Sequence, residues 1–241
     1  MCYQKGISEM KAEIHPFSFT FCTAPKSVKY KTRNQGNIPL FQSFKYFRNI
    51  SDEIRSSILL IDRNVAKIGR NDLLGGVSLN ATNHRLCTHI RRGDFIASPL
   101  HMESREDFTV WAVRHVTDEK LKETNVTVVL FGNDRTWSLN VAGKYFNNTR
   151  MRLYVTNAIR SATPAVDFAF VQYNCDSVIL TASASTFGWW TAFLAGPHKN
   201  IYYNTVFSKP NGIEKELNVT DFFPPEWIPL TMPSDFRLPT S

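Results

Sequence analysis

Leu86-Cys87-Thr88-His89-Ile90-Arg91-Arg92-Gly93-Asp94-Phe95 is an apolar run, able to form a buried strand, that ends abruptly in His, two Arg, Gly and Asp. Ligands of open α/β sheets bind in the crevice beyond the carboxyl ends of the strands. Two guanidinium groups at such an end suit a phosphate, because each offers a rigid fork of donors and a permanent charge. Gly93 permits a sharp turn or a close approach to a ligand. Asp94 can hold one arginine while the other faces the ligand. Two plainer readings of the same residues are a surface ion-pair cluster on a turn and a chance Arg92-Gly93-Asp94 adhesion tripeptide.

Outward from this stretch the pattern alternates strand and helix. Ser104-Arg105-Glu106-Asp107 has the form of a capping box, and Phe108, Trp111, Ala112, His115 and Val116 give the following helix one apolar face, on which His115 reads as packed rather than ligating. Val126 to Phe131 is β-branched and almost wholly apolar, as a buried parallel strand should be, and it ends in Gly132-Asn133-Asp134-Arg135. Leu153-Tyr154-Val155 is a short strand, Ala165 to Tyr173 a helix with Asp167 near its start, and Ser177 to Thr181 another strand. That strand leads through Ala182–Thr186 into a helix over Phe187 to Ala195, stopped by Gly196-Pro197, and Ile201-Tyr202-Tyr203 is a last strand. The alternation from 85 to about 204 predicts a Rossmann-like half. The tail beyond Pro210, rich in Pro and aromatic residues, reads as a packed loop. Upstream, Phe44, Phe47, Ile54, Ile58, Leu59 and Ile61 recur at helix-like spacing. Asn71 to Asn83, with Gly75-Gly76, reads as a connector and a domain boundary, and residues 1–40 as irregular.

The 241 residues are 43% hydrophobic, enough for one large or two small domains. The 28 basic against 21 acidic residues give +7, which favours an anionic partner. No Lys/Arg run, zinc-finger spacing or RNA-reading aromatic motif is present, so a small anion in a cleft is favoured over nucleic acid. Cys2, Cys22, Cys87 and Cys175 form no C-x-x-C pair; Cys87 and Cys175 read as buried small hydrophobes, and spacing does not decide on a disulfide. There is no Asp-x-Asp, P-loop, G-x-G-x-x-G, His-Glu-x-x-His or G-x-Ser-x-G, which removes the usual supports for metal-clamped glycosyl transfer, kinase, dinucleotide oxidoreductase, zinc protease and serine hydrolase chemistry. Sequons at Asn49, Asn80, Asn125, Asn147 and Asn218 point to the secretory route.

His89-Ile90-Arg91-Arg92-Gly93-Asp94 resembles the His-x-Arg-Arg-x-Asp donor-binding motif shared by α1,2-, α1,6- and protein O-fucosyltransferases. Phe41-Gln42-Ser43-Phe44-Lys45-Tyr46-Phe47 and Ser185-Thr186-Phe187-Gly188-Trp189-Trp190-Thr191-Ala192-Phe193-Leu194 resemble two further segments of the α1,2-fucosyltransferases, glycosyltransferase family 11. Three matches in order over residues 40–205 make the resemblance specific. It implies a GT-B-like fold, with a shortened acceptor-side region at 1–84 and a Rossmann-type GDP-fucose-binding domain at 85–241. It implies inverting transfer of L-fucose from GDP-fucose to a hydroxyl of a galactose-terminated glycan, with no metal cofactor and no nucleic acid partner. Arg91 would grip the β-phosphate and His89 support the nucleotide. Arg92 with Asp94 would shape the loop, and Asp134 within the Asn133-Asp134 match would read guanine. Ser185 and Thr186 would touch the pyrophosphate, with Phe187 beside them. Trp189 and Trp190 are sugar-stacking candidates that more often belong to a core. Rival readings are an α1,6- or protein O-fucosyltransferase, and a relative that binds glycan or nucleotide without turnover.

Members of that family are anchored on the lumenal side of the Golgi by an N-terminal membrane helix. Met1 to Lys31 holds no apolar run long enough for a span or a signal peptide, and the chain is read as lacking the anchor, whether as a truncated gene model, a fragment or a divergent member.

Overall fold

In a computed structural model the described residues are 43–239, except 60, 72, 76, 147–150, 157–162 and 216. Among them the expected alternation forms a six-stranded parallel sheet in the order β3-β2-β1-β4-β5-β6. The strands are β1 (His84–Ile90), β2 (Val126–Gly132), β3 (Met151–Val155), β4 (Ser177–Leu180), β5 (Asn200–Asn204) and β6 (Ile228–Leu230). This is the doubly wound Rossmann order, whose direction reverses between β1 and β4. β1 lies between β2 and β4, in register Leu86↔Val128 on one side and Leu86↔Ser177 on the other.

The crossover helices explain the near-continuous apolar strands. On one face Leu86, Ile90, Val128, Leu130, Ile179 and Tyr202 pack against α4 (Glu106–His115) and α5 (Arg135–Tyr145). On the other, Cys87, Val129, Phe131, Val178, Leu180 and Ile201 pack against α6 (Pro164–Asn174) and α7 (Thr186–Ala195). Covering both faces of a parallel sheet removes the polar/apolar alternation of a half-exposed strand. Each fully buried large side chain, such as Phe131 at 1% exposure, contributes roughly 1.5–3 kcal/mol.

The described residues before 85 share that second core. Their helical pattern is realised as a broken series of turns, Phe44–Tyr46, Arg48–Ile50, α1 (Ser51–Glu53) and Ile54–Ile58, followed by α2 (Arg63–Asn71). Phe44, Ile54 and Leu73 join the cluster built on α6 and α7. Leu73 lies inside the expected connector, yet it is 1% exposed. Asn174 Nδ2 at the end of α6 donates to the carbonyls of Gly69 and Arg70 at 3.3 and 3.2 Å.

Two local expectations are corrected, and a question that spacing left open is answered. The tail beyond Pro210 is more than a loop: it adds α8 (Val219–Phe222) and the edge strand β6. Pro229 is tolerated in β6 because an edge strand has one side without ladder partners. The capping box at 104–107 does not form. α4 begins at Glu106 with Arg105 as its N-cap and no side-chain cap, since Ser104 is bonded elsewhere. Cys87 and Cys175 are buried, as expected, but joined in a disulfide across 88 residues of chain, linking β1 to the residue after α6. α3 is the single turn Gly93–Ala97. No helix among the described residues is long and apolar enough to cross a membrane.

Closing so long a loop restricts the unfolded chain, so the Cys87→Ala/Cys175→Ala variant should lose about 2–4 kcal/mol in urea unfolding. Identical midpoints for the oxidised wild type and this variant would show that the bond adds no stability.

Candidate functional site at the carboxyl edge of the sheet

The three polar strand ends meet at one edge. The loop leaving β1 carries Arg91–Asp94, β2 leads into Asn133-Asp134, and β4 leads through 181–185 into the N-terminus of α7. Since β1 and β4 flank the point where strand order reverses, the first and third lie on either side of the crevice where such sheets take ligands. The positive end of the α7 dipole adds to the attraction for an anion.

Arg91 and Arg92 divide their work differently from expectation. Arg92 shapes the loop, but its partner is not Asp94. Its Nε donates to Asp134 Oδ2 at 3.3 Å, its Nη1 donates to the Ser104 carbonyl at 2.8 Å, and the guanidinium lies 4.6 Å over the Trp137 ring. Its main-chain N–H donates to Asn133 Oδ1 at 2.8 Å. Asp94 instead pairs with Arg91, whose Nη2 donates to Asp94 Oδ2 at 2.9 Å. That pair is open to solvent, with the Asp94 side chain 61% exposed, so it is worth only about 0–1 kcal/mol. Arg91 Nε is buried and makes no hydrogen bond, and an unsatisfied buried donor costs about 1–3 kcal/mol. Gly93 has φ +38° and a Cβ there would lie 2.8 Å from Asn133 Nδ2. The positive φ favours glycine here, and an added Cβ would also displace the Asn133 amide.

Asp134 caps α5, accepting from Trp137 N at 3.0 Å through Oδ1 while Oδ2 holds Arg92. Each oxygen already accepts one hydrogen bond and keeps a lone pair for another acceptor contact. Ser185 is the buried N-cap of α7 and accepts from Gly188 N at 3.2 Å. Thr186 opens the helix and is exposed, and Phe187 is stacked 5.1 Å from Phe168. Trp189 belongs to the core, its Nε1 donating to the Phe222 carbonyl at 2.9 Å. His115 lies stacked on Trp111 at 5.0 Å, away from this edge.

His89 points into the layer beneath α7. Its ring sits 5.4 Å from Phe131 and 5.6 Å from Phe187, and Nδ1 is buried without a hydrogen bond. A Cβ at residue 188 would come within 2.7 Å of that nitrogen, so the glycine of the C-terminal motif makes room for the histidine of the first. Burial, followed by the positive charge of Arg91, lowers its pKa from 6.5 to about 3, which keeps the ring neutral. Sequence reasoning missed two residues here. Ser104 Oγ accepts from Arg91 N at 2.8 Å and contacts Thr181 Oγ1 at 2.6 Å, and Thr181 Oγ1 donates to the His89 carbonyl at 2.6 Å. Thr181 was visible only as a polar strand end, and no local pattern marked Ser104 for this task.

A doubly wound α/β sheet with fixed cations and a helix N-terminus at its switch point defines a Rossmann-like protein with an anion-attracting edge. The family model described as "Glycosyl transferase family 11" matches residues 22–231, and the chain belongs to that family. A Caenorhabditis elegans protein named galactoside 2-alpha-L-fucosyltransferase is 31% identical over 231 residues, 87% of this chain and 56% of that protein. A second of that name and organism is 33% identical over 200 residues, 80% and 51% of the two chains. Galactoside alpha-(1,2)-fucosyltransferase 1 of Bos taurus is 25% identical over 191 residues, 77% and 50%. The chain thus spans about half the length of the curated relatives it matches.

Because the folded chain holds His89 neutral, the unfolded chain binds a proton between about pH 6.5 and about pH 3 that the folded chain refuses. Stability should therefore fall as pH drops through that window, by at most about 1.4 kcal/mol per unit from this residue. Urea titrations at pH 7 and pH 5 should show a smaller loss for His89→Gln than for the wild type; parallel losses would remove the buried-neutral assignment.

Proposed function

We propose that this chain supplies the donor-binding side of a galactoside α1,2-fucosyltransferase of GT-B kind. It takes GDP-fucose at the carboxyl edge of β1, β2 and β4 and moves L-fucose, with inversion, to a hydroxyl of a galactose-terminated glycan. The observation that carries this reading is Arg91, with a buried Nε that makes no hydrogen bond and a second nitrogen held only by an exposed acid, at the switch point of the sheet. A diphosphate oxygen would replace that exposed acid at the outer nitrogen of the fork. The names of the relatives supply the sugar and the linkage.

In this reading Arg91 neutralises the charge that builds on GDP as the glycosidic bond breaks. Fixed donors aimed at developing charge are usually the largest catalytic contribution. The α7 N-terminus faces the pyrophosphate with Thr186 at its start, while Ser185 holds the helix in place and Phe187 packs beside it. A general base deprotonates the acceptor hydroxyl as the fucosyl carbon develops oxocarbenium character. Residues 1–84 contribute to the acceptor side, and no divalent metal is needed. The site is lumenal, in the Golgi. Support for that compartment comes from the Cys87–Cys175 disulfide, a bond characteristic of oxidising compartments, and from exposed sequon asparagines at 49, 80, 125 and 218. The fifth sequon, at Asn147, lies outside the described residues.

Arg91→Ala should lower transfer from GDP-fucose to galactose-terminated acceptors by at least about 10²-fold. Its unfolding free energy should not fall by more than about 1 kcal/mol, because the pair it breaks is solvated and the donor it removes is an unsatisfied one. Unchanged turnover in that variant would remove the reading, and GDP binding without any transfer by the wild type would favour an inactive relative. EDTA should leave the rate unaltered; inhibition that manganese reverses would overturn the metal-free proposal.

A further inference from the structure

Four groups at the end of β1 form a hydrogen-bonded chain with a defined direction. Arg91 N donates to Ser104 Oγ at 2.8 Å, Ser104 Oγ lies 2.6 Å from Thr181 Oγ1, and Thr181 Oγ1 donates to the His89 carbonyl at 2.6 Å. The single hydroxyl proton of Thr181 goes to that carbonyl, so Ser104 is the donor between the two hydroxyls. Each hydroxyl proton then has its place, and a chain aligned one way strengthens each of its members. Ser104 also donates its main-chain N–H to the Arg91 carbonyl at 2.8 Å and accepts Arg92 Nη1 at its own carbonyl at 2.8 Å. The main chain is thereby fixed on both sides of the residue that carries the ligand-facing guanidinium. Ser104 and Thr181 are each 0% exposed, so neither touches a ligand directly.

We infer that Ser104 and Thr181 are positioning residues for Arg91, tying the end of β4 to the loop after β1 so that the guanidinium meets the diphosphate in register. This rests on the GDP-fucose reading and deepens it, for neither residue belongs to a motif that the resemblance supplies. A misplacement of about 1 Å at a reacting centre can cost about 10²-fold in rate, and removing one hydroxyl from this chain frees the Arg91 amide to shift by an amount of that order.

The test measures GDP affinity by calorimetry and fucose transfer on the full chain. Ser104→Ala and Thr181→Val should each weaken GDP binding and lower kcat by about 10- to 100-fold. Thr181→Ser, which keeps the hydroxyl, should return both to within about twofold of wild type. In an Arg91→Ala background, Ser104→Ala should change GDP affinity by less than about twofold, because residues that act through one another are not additive. Circular dichroism checks that each variant is folded, and should Ser104→Ala not fold, the Thr181→Val and Thr181→Ser pair decides. Equal losses in Thr181→Val and Thr181→Ser, additive losses with Arg91→Ala, or wild-type GDP affinity in Ser104→Ala and Thr181→Val would overturn the positioning role alone. A wild type that does not bind GDP overturns the donor site and this role with it.

Discussion

The placement of β1 between β2 and β4 constrains the rest of the molecule. The strand has no free edge, and from Leu86 to Ile90 it is buried on both faces. Its main-chain groups are committed to the ladder, so the chain emerges at Arg91 from a fixed point. The surrounding structure extends that fixity by one residue, using Ser104 and Asn133 to hold the amides of Arg91 and Arg92. Beyond the backbone the restraint weakens. The tip of Arg91 pairs with Asp94, which faces solvent, and lies 5.3 Å from the centre of the Phe95 ring. A rigid base with an adjustable tip suits recognition of a small anion, because the ordering entropy is already spent before the ligand arrives.

Two adjacent arginines with the same chemistry do opposite jobs because their acids differ. Asp134 is fastened by its role as the α5 cap, and the Arg92 guanidinium it holds is also bonded to a carbonyl and covered by an indole. Removing Asp134 would leave a largely buried cation short of a partner, which is expensive. Asp94 has water available in place of Arg91, so the diphosphate of the donor we propose would displace it at small cost. Competition between a weak internal carboxylate and a stronger external anion lets the charge at residue 91 be balanced in both states. The order of residues in the motif does not reveal this. Arg91, Arg92 and Asp94 are close enough for Asp94 to serve either arginine, and only the position of Asp134 in space decides.

The same distinction between local and distant information separates what was legible in the chain from what was not. The runs at 86–90, 126–131 and 177–180 are apolar because both faces of a parallel sheet are covered, and that pattern survives in one dimension. β6 does not announce itself, because Ile228-Pro229-Leu230 is short and carries a proline that an edge strand alone accepts. The disulfide joins residues 88 apart, and nothing in their neighbourhoods records the pairing. Ser104 has the local form of a helix cap, three residues before an acid, but its hydroxyl is worth more to the buried amide of Arg91 than to an exposed helix start, where water serves as well. Gly188 was readable as part of a motif, yet its purpose, the space for His89, is a contact between segments 99 positions apart.

That contact bears on how charge is kept at the edge. An imidazole two residues from a guanidinium would add a second, pH-dependent cation if it were hydrated. Buried under α7 against Phe131 and Phe187, His89 stays neutral, and the positive charge of Arg91 itself opposes its protonation. The two residues therefore reinforce one arrangement: the histidine supplies shape and the arginine supplies charge. Since a guanidinium does not titrate in the physiological range, the charge that this pair presents at the strand end is constant there. In the transfer we propose, by contrast, the acceptor hydroxyl loses its proton, so a dependence of that reaction on pH near neutrality is expected from the group that receives the proton rather than from this pair.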